Sequence, residues 1–158
     1  MSSKVLSFDV SSVSTGWAVL SDECVIVASG KIVPMDVGID ITQRLFYLRQ
    51  MVICLLQLYE YPNTVLIEET YMKNVTTLKV LSQFVGIVRE TCYEFANTEP
   101  IFISPNSVRS FYKVKGKEDA YEYVIKRFKK QFKNSTFEDD NDITDAILQG
   151  LYYLEKGE

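Results

Sequence analysis

The strongest constraint on this chain is a change of period near Thr42. Ahead of it, "KVLSFDV", "GWAVL" and "CVIVASGKIV" are short apolar runs of β-favouring residues, divided by the polar "SSVSTG" and the turn-like "SDE". They predict three successive strands in an antiparallel meander. Beyond Thr42, Leu45, Leu48, Val52, Leu55, Leu56 and Tyr59 recur at helical spacing until Tyr61, Pro62 and Asn63 break the pattern. "TVLIEE" predicts a fourth strand, Val75 to Phe95 a long helix with Leu78, Leu81, Val85, Val88 and Cys92 on one face, and "PIFIS" a fifth strand. There follow a short helix in "PNSVRSFY" capped by Asn106 or Ser107, a loop "KVKGK", a basic amphipathic helix in "EDAYEYVIKRFKKQF" and a polar "KNSTFEDDN". A last helix carries Ile147, Leu151 and Leu154 on its apolar face. This order of elements predicts an α/β fold, a mixed five-stranded sheet flanked by helices.

With 158 residues, 47% of them hydrophobic, the chain can bury a real core, and a single domain over residues 1–158 is expected. "MSSKVLSFDV" reaches an aspartate before any apolar region develops, so no secretory signal is read there, and no uncharged run is long enough to span a bilayer. "LFYLRQMVICLLQLY" comes nearest, but it is short and contains Arg49, so it reads as a buried amphipathic helix. No membrane role is expected. Cys24, Cys54 and Cys92 are far apart and flanked by apolar residues, and the chain has no histidine. That argues against a zinc site and for three thiols serving as small core residues in a reducing cytoplasm.

The net charge of −4 argues against coating nucleic acid by bulk positive charge, but the distribution is uneven. Arg109, Lys113, Lys115, Lys117, Lys126, Arg127, Lys129, Lys130 and Lys133 are interrupted only by Glu118, Asp119 and Glu122, whereas from Glu138 onward Lys156 is the only basic residue. One segment suits phosphates and its neighbour suits cations.

The acids stand at the ends of elements. Side chains alternate along a strand, so Asp9 shares a face with Ser7 and Val5, and only one of Glu68 and Glu69 can join it. On the last helix Asp142 and Asp145, three apart, lie on one side. Carboxylates gathered without histidine or cysteine need a cation to offset their repulsion, and hard oxygen donors suit Mg²⁺ or Mn²⁺. Two such ions roughly 3.5 to 4 Å apart activate water and stabilise the leaving oxygen in phosphodiester hydrolysis.

Each piece has a plainer reading. Asp142 followed by Asp145 resembles an N-cap with an acid in the first turn, Asp9 a turn cap, and the glutamate pair a strand end. The charges of "VIKRFKKQF" suit a solvated helix face, while the lysines alternating around Gly116 in "SFYKVKGKED" suit a flexible loop tracking a phosphate backbone.

The segments "FDVSSVSTGWAVL", "LIEETYMKNVTTLKVLSQFVG" and "DITDAI", in that order, resemble those of RuvC-family Holliday junction resolvases, within the RNase H-like (retroviral-integrase) superfamily. The resemblance covers most of the chain. It implies an RNase H-like fold and a metal-dependent endonuclease of DNA recombination and repair that nicks four-way junctions as a homodimer, leaving 5′-phosphate ends. Asp9, Glu68, Asp142 and Asp145 match the family's metal-binding acids, implying two Mg²⁺ per active site with Mn²⁺ as a substitute. Glu69 is then expected to face away. Tyr71 matches an aromatic position near the junction centre, where it would stack on an unpaired base. Lys117 matches a basic residue near the scissile phosphate, and Arg109, more loosely, another. A twofold dimer would set one acid cluster on each of two symmetry-related cleavage points.

The chain departs from the family in reading Asp9-Val10-Ser11, where Asp-Pro-Gly or Asp-Pro-Ser is usual, and in lacking the histidine often found near the last acids. Competing readings are a flap, fork or RNA-DNA hybrid nuclease of the same superfamily, a catalytically silent branched-DNA-binding protein, and an ATP-binding protein of the actin or sugar-kinase class. For the last, the chain is short, since such proteins normally place two domains around the nucleotide.

Overall fold

The computed structural model describes residues 3–34, 38, 40–70 and 74–157. Strands β1 (Lys4–Asp9), β2 (Thr15–Ser21) and β3 (Ile26–Ile32) form the expected antiparallel meander. Helix α1 (Ile41–Leu58) leads to β4 (Thr64–Glu68), which pairs parallel with β1. Helix α2 (Val75–Ala96) leads to β5 (Ile101–Ile103), parallel to β4, and the sheet order is β3-β2-β1-β4-β5. Helices α3 (Pro105–Tyr112), α4 (Lys117–Arg127) and α5 (Phe137–Glu155) complete the chain.

Strand alternation divides the core between the two faces of the sheet. Leu6, Phe8, Val19, Val65 and Ile67 meet Leu48, Val52 and Leu56 of α1 and Phe84 and Val88 of α2. Val5, Ala18, Leu20 and Leu66 meet Val124 of α4 and Ala146, Ile147 and Leu151 of α5. β1 and β4 are therefore covered on both sides, and α5 lies on the face that carries Asp9.

Several boundaries differ from the sequence expectation, each for a local reason. Helix α3 begins after Ser104 with Pro105 as its first residue, not after Asn106 or Ser107, because proline has no N–H to satisfy there and its fixed φ already suits the first turn. Helix α4 stops at Arg127, so Lys129 and Lys130 lie in the turn beyond it. At its other end, Lys117 is its first residue and not part of the loop. Helix α5 starts at Phe137, where the Thr136 side chain accepts from the Asp139 N–H, more than a turn and a half before the expected cap at Asp142. Of the cysteines, Cys92 is buried and Cys24 half-buried, but Cys54 is exposed on α1 and is not a core residue. Among the described residues no helix is long and apolar enough to cross a membrane.

Candidate active site

The parallel register of β1 and β4 pairs Phe8 with Ile67, so the next residues, Asp9 and Glu68, end their strands side by side. Both continue the alternation that points toward α5, the face of Val5 and Leu66. Glu69 is exposed, its N–H donating to the Ile103 carbonyl at 2.8 Å, so Glu68 is the member of the pair that joins Asp9.

Helix α5 is pinned across this face by Gln149. Its buried amide donates to Ser7 Oγ at 2.9 Å and to the Phe8 carbonyl at 3.1 Å. Asp145 and Asp142 lie one and two turns earlier on the same side. Gly16, the register partner of Asp9, lets the helix come close: a Cβ there would stand 2.0 Å from the Asp142 carbonyl oxygen. The turn between β1 and β2 is held by other groups. Ser11 Oγ accepts from the Val13 N–H, and the Thr15 hydroxyl donates to the Ser11 carbonyl, so Asp9 is not a turn cap.

Nor are Asp142 and Asp145 helix caps. Thr136 caps α5, and Glu138, Asp139 and Asp140 occupy its first turn, where acids complement the helix dipole. The crowded acids of this segment thus divide into two groups: one serves the helix end, and the other faces β1.

Into the second group projects Lys117 from the start of α4. Its Nζ lies 3.0 Å from Asp145 Oδ2, 3.2 Å from Asp142 Oδ1 and 3.6 Å from Asp9 Oδ2. Burial, and next the repulsion of Glu68, push the Asp9 carboxyl well above its ordinary value despite the ammonium. Burial, then Asp145, raises Glu68, and burial raises Asp145 against the pull of Lys117 and Arg109. Burial alone would lower Lys117, but Asp9, Asp145 and Asp142 outweigh it and hold the ammonium charged.

The donor set fits a hard divalent cation. It consists of carboxylate oxygens alone, and Asp9, only 7% exposed, has an Oδ2 with no hydrogen-bond partner. Among the described residues no three acids are drawn together as a finished coordination shell, and an ammonium stands between three of them.

The structure thus brings together Asp9, Glu68, Asp142, Asp145 and Lys117, and Arg109 lines a small cavity with Glu68 and Asp145. Lys113 and Lys115 are exposed in the connection between α3 and α4. That connection is tied rather than loose: the Lys115 N–H donates to Asp119 Oδ2 at 3.0 Å, and the Val114 N–H to the Arg109 carbonyl at 3.0 Å. Tyr71 lies outside the described residues. Sequence reasoning missed two residues that position the site, Gly16 and Gln149. Each left a signal, a glycine inside a strand and an amide inside an apolar helical run.

A mixed five-stranded sheet ending two neighbouring strands in acids, with a helix laying two more beside them, defines a nuclease domain of RNase H-like fold. The sequence profile described as "Crossover junction endodeoxyribonuclease RuvC" matches residues 5–148, and the chain belongs to that family. It is a structure-selective junction endonuclease. Similar solved structures include Thermus thermophilus RuvC in complex with Holliday junction substrate, at 17% identity and a TM-score of 0.76, covering 98% of this chain and 96% of that one. The yeast mitochondrial Holliday junction resolvase Ydc2 aligns at 15% identity and a TM-score of 0.66, covering 97% of this chain and 78% of its own. No curated protein matches by sequence.

Proposed function

We propose that this chain resolves four-way DNA junctions, with Asp9, Glu68, Asp142 and Asp145 as ligands of two Mg²⁺ ions that Mn²⁺ can replace. The observation that carries the reading is Asp9 Oδ2, buried and without a hydrogen bond, whose one ion-pair contact among the described residues, Lys117 Nζ at 3.6 Å, is shared with two further acids from α5, so that the acids outnumber the single ammonium facing them. When bound, the ions supply Lewis acidity at the scissile phosphate and favour attack by water.

The chain's own residues do the rest. Lys117 donates to a phosphate oxygen and stabilises the charge that develops there. Arg109, beside Glu68 and Asp145, and Lys113 and Lys115, exposed in the connection after α3, bind backbone phosphates and set the register of the DNA. Tyr71, three residues beyond Glu68, stacks on a base at the crossover. The Thermus protein was captured on a Holliday junction, and a twofold dimer of this chain would put one acid cluster on each of two opposed strands. Products carry 5′-phosphate ends.

The test is cleavage of labelled four-way junction, fork, flap and linear duplex, with Mg²⁺ or EDTA, by wild type, Asp9→Asn and Asp142→Asn. Paired, Mg²⁺-dependent nicks near the junction centre are expected from wild type, and both variants should bind the junction without cutting it. Cleavage that survives EDTA or either substitution would refute the assignment.

A further inference from the structure

The acid cluster already contains a cation of its own. Lys117 Nζ contacts one oxygen each of Asp9, Asp142 and Asp145, and Asp9 Oδ2 is the oxygen with no hydrogen-bond partner. A divalent ion drawing on these oxygens and an ammonium within contact distance of all three would repel each other inside a partly dry site. They cannot share it in this arrangement. The lysine is able to leave: its backbone is fixed as the first residue of α4, but its side chain is 39% exposed and carries the charge on a flexible four-carbon stem.

We propose that Lys117 is an exchangeable internal counter-cation. It offsets part of the cluster's charge while the protein is free, is displaced when a divalent ion enters, and then offers its ammonium to a phosphate oxygen of the DNA. This rests on the metal-ligand reading above and adds a regulatory consequence. Because the same ammonium is a competitor of the metal and a partner of the phosphate, metal and DNA must bind with positive coupling. By linkage the coupling is reciprocal, each ligand tightening the other by the same factor. In the absence of DNA the protein would hold Mg²⁺ weakly, so that a complete active site assembles only on its substrate.

The experiment is a calorimetric titration of the DNA-free protein with Mn²⁺, comparing wild type with Lys117→Met, which keeps the stem and removes the charge, and with Lys117→Arg, which keeps the charge. Lys117→Met should bind Mn²⁺ tighter by about tenfold or more, within the usual range for coupled sites, and Lys117→Arg should not. Uncleavable junction DNA should tighten Mn²⁺ binding to wild type and do so less for Lys117→Met. If Lys117→Met fails to fold, the unmodified protein decides the matter. With ¹³C-labelled lysine, the Lys117 Cε signal should move as Mg²⁺ is added, and saturation without movement would overturn the proposal. So would unchanged or weaker Mn²⁺ binding by Lys117→Met. The titration reads binding alone, so tighter Mn²⁺ binding in a protein that cuts no junction would refute the nuclease reading and leave the exchange standing.

Discussion

Two ion-pair clusters join α4 to α5, one at each end, and they are built on opposite principles. At the far end, Arg127 meets Glu155 through a two-pronged contact of 2.7 and 3.1 Å, and the Tyr112 hydroxyl adds a donor at 2.7 Å. One guanidinium meets one carboxylate, and the Glu155 carboxyl is held below its ordinary range, chiefly by the hydrogen bonds from Arg127. At the near end, a single ammonium faces Asp9, Asp142 and Asp145, with Glu68 beside them, and burial drives three of those acids upward. The same two helices thus carry a balanced pair and an over-charged cluster. Balance suffices for a tether, whereas uncompensated buried charge marks a place reserved for a ligand.

Activity should separate the two ends most sharply. Asp145→Asn is expected to lower junction cleavage by at least about a hundredfold, as loss of a charge-stabilising group commonly does. Glu155→Gln should leave the rate within a few-fold, because Glu155 touches only Arg127 and Tyr112 among the contacts described for it. A single-turnover assay at saturating Mg²⁺ compares them. Equal losses would mean that the far end holds the active site in shape, and the contrast would fail.

Gly16 and Gly150 repeat the comparison in terms of packing. A Cβ on Gly16 meets the Asp142 backbone carbonyl at 2.0 Å, so Gly16→Ala must move the helix that carries two of the acids. It should lower stability by about 1–3 kcal/mol and cleavage along with it. On Gly150 the Cβ meets Leu20 Cδ1 at 2.6 Å, the end of a flexible side chain. Alanine also gains up to about 1 kcal/mol of helix propensity there, so Gly150→Ala should be nearly neutral in a thermal melt.

The sequence exposed what is periodic. All five strands, their order along the chain and the faces of the long helices followed from alternation and helical spacing. So did the sharing of one face by Asp9 and one glutamate, since parity alone excludes Glu69 or Glu68. What it obscured depends on close approach in three dimensions. Asp142 read equally well as a cap because a Ser/Thr/Asp-rich segment offers several possible caps, and only the hydrogen bond to Thr136 picks one. Lys117 read as part of a loop because Gly116 precedes it, although Gly116 is extended and serves as the N-cap of α4. Gln149 matters only because α5 crosses β1 at Ser7.

Acidity gives the two ends opposite signs in the metal-free protein. A carboxyl whose folded value lies above its unfolded one binds its proton more tightly when folded, so it favours the fold at low pH, and that contribution is lost as pH rises. For Asp9, Glu68 and Asp145 the loss runs upward from the unfolded values of 3.8 and 4.5 through their raised folded values. Asp9→Asn resembles the protonated acid, so in EDTA its advantage in melting temperature over wild type should grow with pH across that window. Glu155 is lowered, so its contribution is present above 4.5 and fades as pH falls through its folded value. The deficit of Glu155→Gln should therefore shrink toward acid. Parallel pH slopes for the two variants would contradict the electrostatics described for both sites.

The smallest effect is the strength of the far-end tether itself. Exposed ion pairs usually couple by about 0.2–1 kcal/mol, since solvent screens them and two long side chains must be ordered. A double-mutant cycle on Arg127→Met and Glu155→Gln should fall in that range, about 2–4 °C in melting temperature at most for a chain of this size. The bidentate geometry and the Tyr112 donor favour the upper part of it. A coupling of about 3 kcal/mol would instead be typical of a buried, desolvated pair. The far end would then not be a solvent-screened tether, and its contrast with the near end would rest on charge balance alone.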